Sequence, residues 1–236
     1  MHEIKLRPDL IANVILRRGR EHPFEEFDPA TTALVVVDMQ NHFVAEGYQG
    51  RVATATEIVP NINRIASGLR AAGGVVVWLQ TAFDDDTART WSTFFESFNT
   101  DKRRAGVMVG LKKDSDGYQL WPELEGEAAD LKIEKDRFSA FIQGASDLHD
   151  ILQTRAINTL LITGTVTNVC CEATARDASM LNYKTVMVAD GNAAPSDDAH
   201  NASLNNLFGA FCDVLTTAQI IARIETVGSN NAQAAE

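Results

Sequence analysis

Three reactive side chains stand where runs of strand-forming residues end: Asp38 closes ALVVVD, Lys135 closes LKIEK, and Cys170 lies just past TLLIT, at the end of the turn GTVTNVC. In open α/β sheets ligands bind outside the carboxyl ends of the strands, so residues distant in sequence converge there. A thiol in the first turn of a helix faces the positive end of the helix dipole, and a lysine ammonium beside it stabilises a thiolate further. Together these predict a Cys170 pKa lowered toward working pH. A carboxylate at the same place can accept the thiol proton and later deliver it to a leaving amine. The set suits acyl transfer, with Cys170 as nucleophile, Asp38 as proton carrier and Lys135 as the neighbouring cation. Taken singly, each residue has a plainer reading. A cysteine at a helix start is more often a small buried hydrophobe, an aspartate at a strand end is often a cap or turn residue, and Lys135 is one of several charges in LKIEKDR.

The elements that would position these groups follow from the patterning. Short β-branched runs at 33–38, 74–80, 131–135, 159–163, 184–189 and 212–215 alternate with stretches of helical period, the pattern of β and α units around a mostly parallel sheet. Four of the six runs are apolar on both faces, as strands buried between two helical layers require. Residues 58–72 repeat apolar side chains at Ile58, Ile62, Ile65, Ala66 and Leu69 and stop at Gly73 and Gly74, which predicts a crossover helix. Further helices are expected at 147–154, 168–181, 197–208 and 217–225, the first three opening on Asp147, Asn168 and Asp197 as caps. Residues 82–130 have no clean period and read as an insertion carrying specificity or a subunit contact. The segment after Val227 is polar and expected to fray.

Length and composition agree with one α/β domain over 1–236, with an N-terminal extension to residue 30 and a polar tail from 226. Hydrophobic residues make up 45% and charged residues 22%, an ordinary globular balance. The net charge of −11 disfavours nucleic acid and anionic membrane as partners, since both need a positive surface. No apolar run approaches a membrane span, and residues 1–29 contain no signal-peptide core, so a cytoplasmic location is expected. Three cysteines, two of them adjacent, cannot form a secreted disulfide framework and read as reduced thiols.

The segments VVVDMQNHF (35–43), KDRFSAF (135–141) and GTVTNVCCEATARDA (164–178) resemble the three signatures of the isochorismatase-like cysteine hydrolase superfamily, and the resemblance spans about 33–222. It implies a doubly wound three-layer α/β/α sandwich around a six-stranded, mostly parallel sheet. It also implies an Asp38, Lys135 and Cys170 triad that hydrolyses small amides through a thioester. A non-proline cis peptide between Thr165 and Val166 is implied too, with the backbone N–H groups of Val166 and Cys170 as the oxyanion hole. Cys170 follows T-N-x directly and matches the nucleophile, which leaves Cys171 a structural role. Phe43 matches a pocket aromatic, a core role being equally open. Gln40, Asn41 and Asn168 are candidate polar neighbours of the substrate and Trp78 a candidate wall, although Asn168 could simply cap the following helix.

Absent features narrow the resemblance. The Asp-x-His and D-W-H-P segments of nicotinamide-cleaving members are missing, LQTAFDDD standing at the second. His42, His149 and His200 are scattered in sequence, so they read as surface or satisfied polar residues; no metal and no cofactor are expected. Cys170 argues against the vinyl-ether cleavage of true isochorismatases, which lack that thiol. The closest likeness is to the ureidoacrylate amidohydrolase and biuret hydrolase branch, through Arg7-Pro8, FDP at 27–29, DMQN and TNVC, with departures at Cys171 and in the insertion. This implies hydrolysis of the C–N bond of a small linear ureido or carbamoyl amide, releasing ammonia or an amine. The alternatives are a maleamate or nicotinamide amidase and a catalytically silent binding protein. Arg89, Arg103, Arg104, Lys112 and Lys113 are candidate partners for a substrate carboxylate, or solvated surface charges. The resemblance further implies a homo-oligomer, a dimer or tetramer.

Overall fold

The computed structural model describes the backbone of residues 1–234 and the side chains of residues 1–226. Its six strands are β1 (Thr32–Val37), β2 (Val75–Thr81), β3 (Leu131–Lys135), β4 (Thr159–Thr165), β5 (Lys184–Ala193) and β6 (Asp213–Leu215). They form one sheet in the order β3-β2-β1-β4-β5-β6, and every pairing is parallel. The chain winds outward from β1 through β2 to β3, then returns to β4 on the other side of β1. The winding reverses between β1 and β4, and the crevice at their carboxyl ends is where such sheets bind ligands.

β1 explains why the sheet is the middle layer. Ala33, Val35 and Val37 pack into one core, Leu34 and Val36 into a second, so both faces of the strand are buried. Helices Val59–Ala71 and Thr217–Ala234 cover the second core through Ile62, Ile65, Leu69 and Ile220. Helices Leu148–Thr154, Glu172–Met180 and Asp197–Ala210 cover the first through Leu152, Ala178 and Leu207. The architecture is therefore a three-layer α/β/α sandwich.

Several local expectations are corrected. Asp147 and Asn168 make no side-chain cap, and the helix after β5 is capped by Ser196, whose hydroxyl accepts from the Ala199 N–H, rather than by Asp197. The stretch expected as a helix from 168 opens as a π-turn, Thr167–Cys171, and becomes α-helical only at Glu172. The insertion is not irregular: it holds helices Asp85–Thr90, Ser92–Ser97 and Asp101–Gly110, the first and last capped by Asp84 and Thr100. Each is too short to display a helical period. The last helix runs on to Ala234 through the segment expected to fray, while residues 235 and 236 lie outside the described residues.

The N-terminal extension also carries an unexpected helix, Pro8–Arg18, with Pro at its start and left-handed Gly19 at its end. Ahead of it, His2 stacks on His200 with ring centroids 4.4 Å apart and accepts from the Ala194 N–H. No helix among the described residues is long and apolar enough to cross a membrane.

Gly164 sets how closely β1 and β4 approach. Its φ is +111°, and a Cβ there would stand 2.1 Å from the Val37 carbonyl oxygen. Gly164→Ala should therefore destabilise the fold by about 3 kcal/mol or more. For a chain of this length that is a fall in Tm of roughly 10 °C. A thermal melt within about 2 °C of wild type would show that the strands separate without penalty.

Candidate active site

Asp38 is the first residue beyond β1 and turns out of the sheet with φ +51°, a left-handed conformation that aspartate tolerates better than most residues. Two bonds hold it there: its N–H donates to the Leu79 carbonyl (2.9 Å), and its own carbonyl accepts from the Thr165 hydroxyl (2.9 Å). The carboxylate thus points into the crevice between β1 and its neighbours.

Lys135 ends β3 in register with Thr81, the last residue of β2. Its ammonium spends all three donors, on Asp38 Oδ2 (2.8 Å), Thr81 Oγ1 (2.7 Å) and the Arg137 carbonyl (3.1 Å). Thr81 closes the triangle by donating to Asp38 Oδ1 at 2.9 Å. Both charged side chains are wholly buried. Burial would lower the Lys135 pKa, but the charge and hydrogen bond of Asp38 oppose it and the ammonium is held above its ordinary value.

Cys170 sits in the π-turn Thr167–Cys171, reached from β4 through a cis Thr165–Val166 peptide. The turn is tied down by Thr167, whose hydroxyl bonds His200 Nδ1 at 2.9 Å. The thiol is 5% exposed and faces Asp38 and Lys135, with the Val166 N–H directed at the sulfur. The expected lowering of its pKa is overturned. Burial pushes the thiol up to about 12; Lys135 pulls it down, but Asp38, as a neighbouring anion and as acceptor of the thiol proton, pushes the other way. The resting group is therefore a neutral thiol hydrogen-bonded toward a carboxylate. Cys171 is fully buried in the core and directs its sulfur to the Thr163 carbonyl.

Cys170 opens on a cavity of about 270 Å³, smaller than sites for drug-sized ligands, with Asp38 and Lys135 behind its lining. Thr81, Val166 and Cys170 line its reactive end. Phe43, Phe83, Phe94 and Phe138 supply apolar walls, while His42, Arg103 and Arg137 bring polar groups. A larger depression of about 650 Å³, lined by Lys113, Tyr118 and Glu134, includes none of Asp38, Lys135 and Cys170.

Of the residues assigned to substrate, Phe43 and Arg103 line the cavity, while Gln40, Asn41, Trp78, Asn168 and the other cations of the insertion do not. Gln40 is fully buried and clamps Thr81 instead, its Oε1 accepting from the Thr81 N–H (2.8 Å) and its Nε2 donating to the Thr81 carbonyl (3.0 Å). Asn41 donates to the Asp116 carbonyl and anchors the adjoining loop. Trp78 faces the second core and donates its indole N–H to Asp130 (2.8 Å), which Arg70 also holds. Asn168 is exposed on the outside of the turn.

Three residues escaped the sequence reading. Thr81 was discoverable by the same strand-end rule as Lys135, β2 running one residue past its expected end. His42, read as a surface or satisfied polar residue, is 2% exposed with its Nδ1 unpartnered and lines the cavity, its ring lodged against Gly50 and Gly110. Burial, reinforced by the charge of Arg103, lowers its pKa to about 4, so it is neutral at working pH. Arg137 carries no signal beyond its place two residues after Lys135. His149 bonds the Tyr183 hydroxyl, and among the described residues no three His, Cys, Asp or Glu side chains gather as a metal site would require.

An isochorismatase domain matches residues 32–219. Among solved structures, a cysteine hydrolase from Pseudomonas syringae pv. phaseolicola 1448A is 27% identical with a TM-score of 0.73, covering 85% of this chain and 95% of that one. An isochorismatase-like hydrolase from Alkaliphilus metalliredigens is 30% identical with a TM-score of 0.68, covering 82% and 98%. N-carbamoylsarcosine amidase from Thermoplasma acidophilum is 26% identical with a TM-score of 0.62, covering 79% and 96%. A match over that span, joined to an all-parallel sheet in which Asp38, Lys135 and Cys170 meet at the strand ends, means that the chain belongs to the isochorismatase family of hydrolases.

Proposed function

We propose that the protein hydrolyses the C–N bond of a small linear ureido or carbamoyl amide through a thioester on Cys170. The observation that carries this reading is the buried Asp38, Lys135 and Thr81 triangle facing the Cys170 thiol at one end of a small cavity. The likeness to N-carbamoylsarcosine amidase favours a carbamoyl group over other amides.

In this reading the thiol loses its proton to Asp38 as sulfur bonds to the substrate carbonyl carbon, so no free thiolate accumulates beforehand. Negative charge grows on the carbonyl oxygen, which the N–H groups of Val166 and Cys170 receive. The C–N bond breaks as Asp38 returns the proton to the departing nitrogen, leaving a thioester and an amine or ammonia. Water, deprotonated by Asp38, then attacks the thioester carbon. Sulfur leaves, regains the proton, and the acid or carbamic acid departs. Lys135 holds the Asp38 carboxylate in place through its ion pair and offsets charge on sulfur as the bonds change.

Ammonia release from a panel of ureido acids, biuret-type compounds, nicotinamide and simple aliphatic amides tests the assignment. Ureido or biuret-type compounds should be cleaved best, with activity abolished in Cys170→Ala and nearly unchanged in Cys171→Ala. A preference for nicotinamide or an aliphatic amide would overturn the substrate class; a dead Cys171 variant beside a working Cys170 variant would overturn the choice of nucleophile.

The raised thiol pKa gives a second test. Iodoacetamide labelling of Cys170 should climb about tenfold per pH unit from 7 to 10 without levelling, because thiolate remains a small fraction until pH approaches 12. A plateau near pH 7 to 8 would mean a thiolate–ammonium pair at rest.

Asp38→Asn cannot carry the proton and leaves the Lys135 ammonium buried without a counter-charge. Stability should fall by about 3 kcal/mol or more. Where the variant remains folded, kcat should drop by roughly 10²-fold to 10⁴-fold. A folded variant with near-normal kcat would show that another group moves the proton.

A further inference from the structure

The segment ahead of helix Pro8–Arg18 lies outside the matched residues 32–219, yet it is bonded along its length to helix Asp197–Ala210. Asn201 and Asn205 stand one turn apart on that helix, although asparagine is a poor helix former. Each amide pairs with the extended backbone beside it as a neighbouring strand would. Asn201 Oδ1 accepts from the Lys5 N–H (2.6 Å) and its Nδ2 donates to the Glu3 carbonyl (2.8 Å). Asn205 repeats the arrangement with the Arg7 N–H and the Lys5 carbonyl, both at 2.8 Å. The strap so formed delivers His2 to the start of the helix, where its side chain is 4% exposed. Both ring nitrogens are used. A backbone N–H can only donate, so Nε2 accepts from Ala194 (2.9 Å) and Nδ1 carries the proton, which it gives to Asp197 Oδ1 at 2.7 Å. His2 thereby ties together the two ends of the short loop that leads from β5 into the helix.

The His2 ring also covers His200, the centroids 4.4 Å apart and the planes 20° from parallel. His200 is wholly buried, and burial lowers its pKa to about 4, so its ring is neutral at working pH. Its Nδ1 bonds the Thr167 hydroxyl at 2.9 Å, and Ser203, on the same helix, gives its hydroxyl to the Thr167 carbonyl at 3.4 Å. Thr167 opens the π-turn that carries Cys170. We propose that residues 2–7 are a strap that positions the nucleophile turn. His2 acts through His200 and Thr167 to hold the Cys170 sulfur and the Val166 and Cys170 N–H groups in reacting alignment. His2 is then a positioning residue, since it touches no reacting atom and its loss frees the helix start, the His200 ring and the turn to shift together. Misplacing a nucleophile weakens the transition state more than it weakens substrate binding. The strap therefore acts on kcat rather than KM. The inference rests on the hydrolase reading only in taking Cys170 as the nucleophile.

Two readouts test the strap, one of them independent of turnover. In His2→Ala, kcat for the best ammonia-releasing compound of the panel should fall about 10-fold or more, with KM changed by less than about 2-fold. Iodoacetamide labelling of Cys170 at about pH 9 should become about 5-fold faster or more, because a turn freed from its anchor exposes and hydrates the thiol. Val14→Ala serves as the control. It loosens the packing of helix Pro8–Arg18 without touching His2, so it should lower Tm and leave both readouts within about 2-fold of the parent. Thr167→Val removes the hydroxyl and tests the route: in that background His2→Ala should lower kcat by less than about 3-fold. The proposal is overturned if labelling or kcat in His2→Ala stays within about 2-fold of the parent, or if Val14→Ala reproduces the changes. It is equally overturned if the loss from His2→Ala is undiminished in a folded Thr167→Val protein. Should no compound release ammonia, labelling alone decides the strap, so the strap and the hydrolase reading fail separately.

Discussion

The ion pair between Asp38 and Lys135 is the constraint on which the rest depends. Two charges with no exposed surface are tolerable only in each other's company, and removing either leaves the other uncompensated at a penalty of about 3 to 5 kcal/mol. The pair spans three strands, the ends of β1 and β3 meeting across the end of β2. Thr81 is the residue that β2 supplies at that point, donating to the carboxylate and accepting from the ammonium. Gln40 in turn fixes Thr81 through both of its backbone groups. The left-handed turn at Asp38 and the close β1–β4 approach at Gly164 bring the same carboxylate within reach of the thiol on the following turn.

That arrangement also decides the form in which sulfur waits. Lysine alone would favour a thiolate, but its charge is already shared with Asp38, and burial penalises a second anion in the same small space. One proton is therefore held between two acceptors, carboxylate and sulfur.

The strand-end rule made the three reactive residues legible because Asp38 and Cys170 follow apolar runs that read as buried strands, and Lys135 closes an alternating run, LKIEK, whose inward positions are buried. Cys171 was separable from Cys170 by its position in the turn, and it packs in the core. What the rule could not supply is side-chain direction. Gln40 and Asn41 neighbour Asp38 in sequence, but the chain twists out of the sheet at Asp38 and sends them to Thr81 and the loop at Asp116. Trp78 lies on the same strand as Thr81, yet alternation turns it to the face shared with Val36. The insertion stayed opaque for another reason. Its three helices span at most 10 residues each and take their apolar contacts from a small aromatic cluster, so no period accumulates, and the cavity cation Arg103 was indistinguishable from its paired neighbours.

The burial of Cys170 bears on how the protein meets oxidants. Peroxide reacts with thiolates, and a sulfur kept protonated at working pH offers little of that form for conversion to sulfenic acid. A low-pKa cysteine in an open site would need a second thiol to rescue it by disulfide formation; here the adjacent Cys171 is turned into the core and Cys212 is buried elsewhere. Burial, by holding the thiol protonated, thus also leaves Cys170 little of the form that oxidants attack.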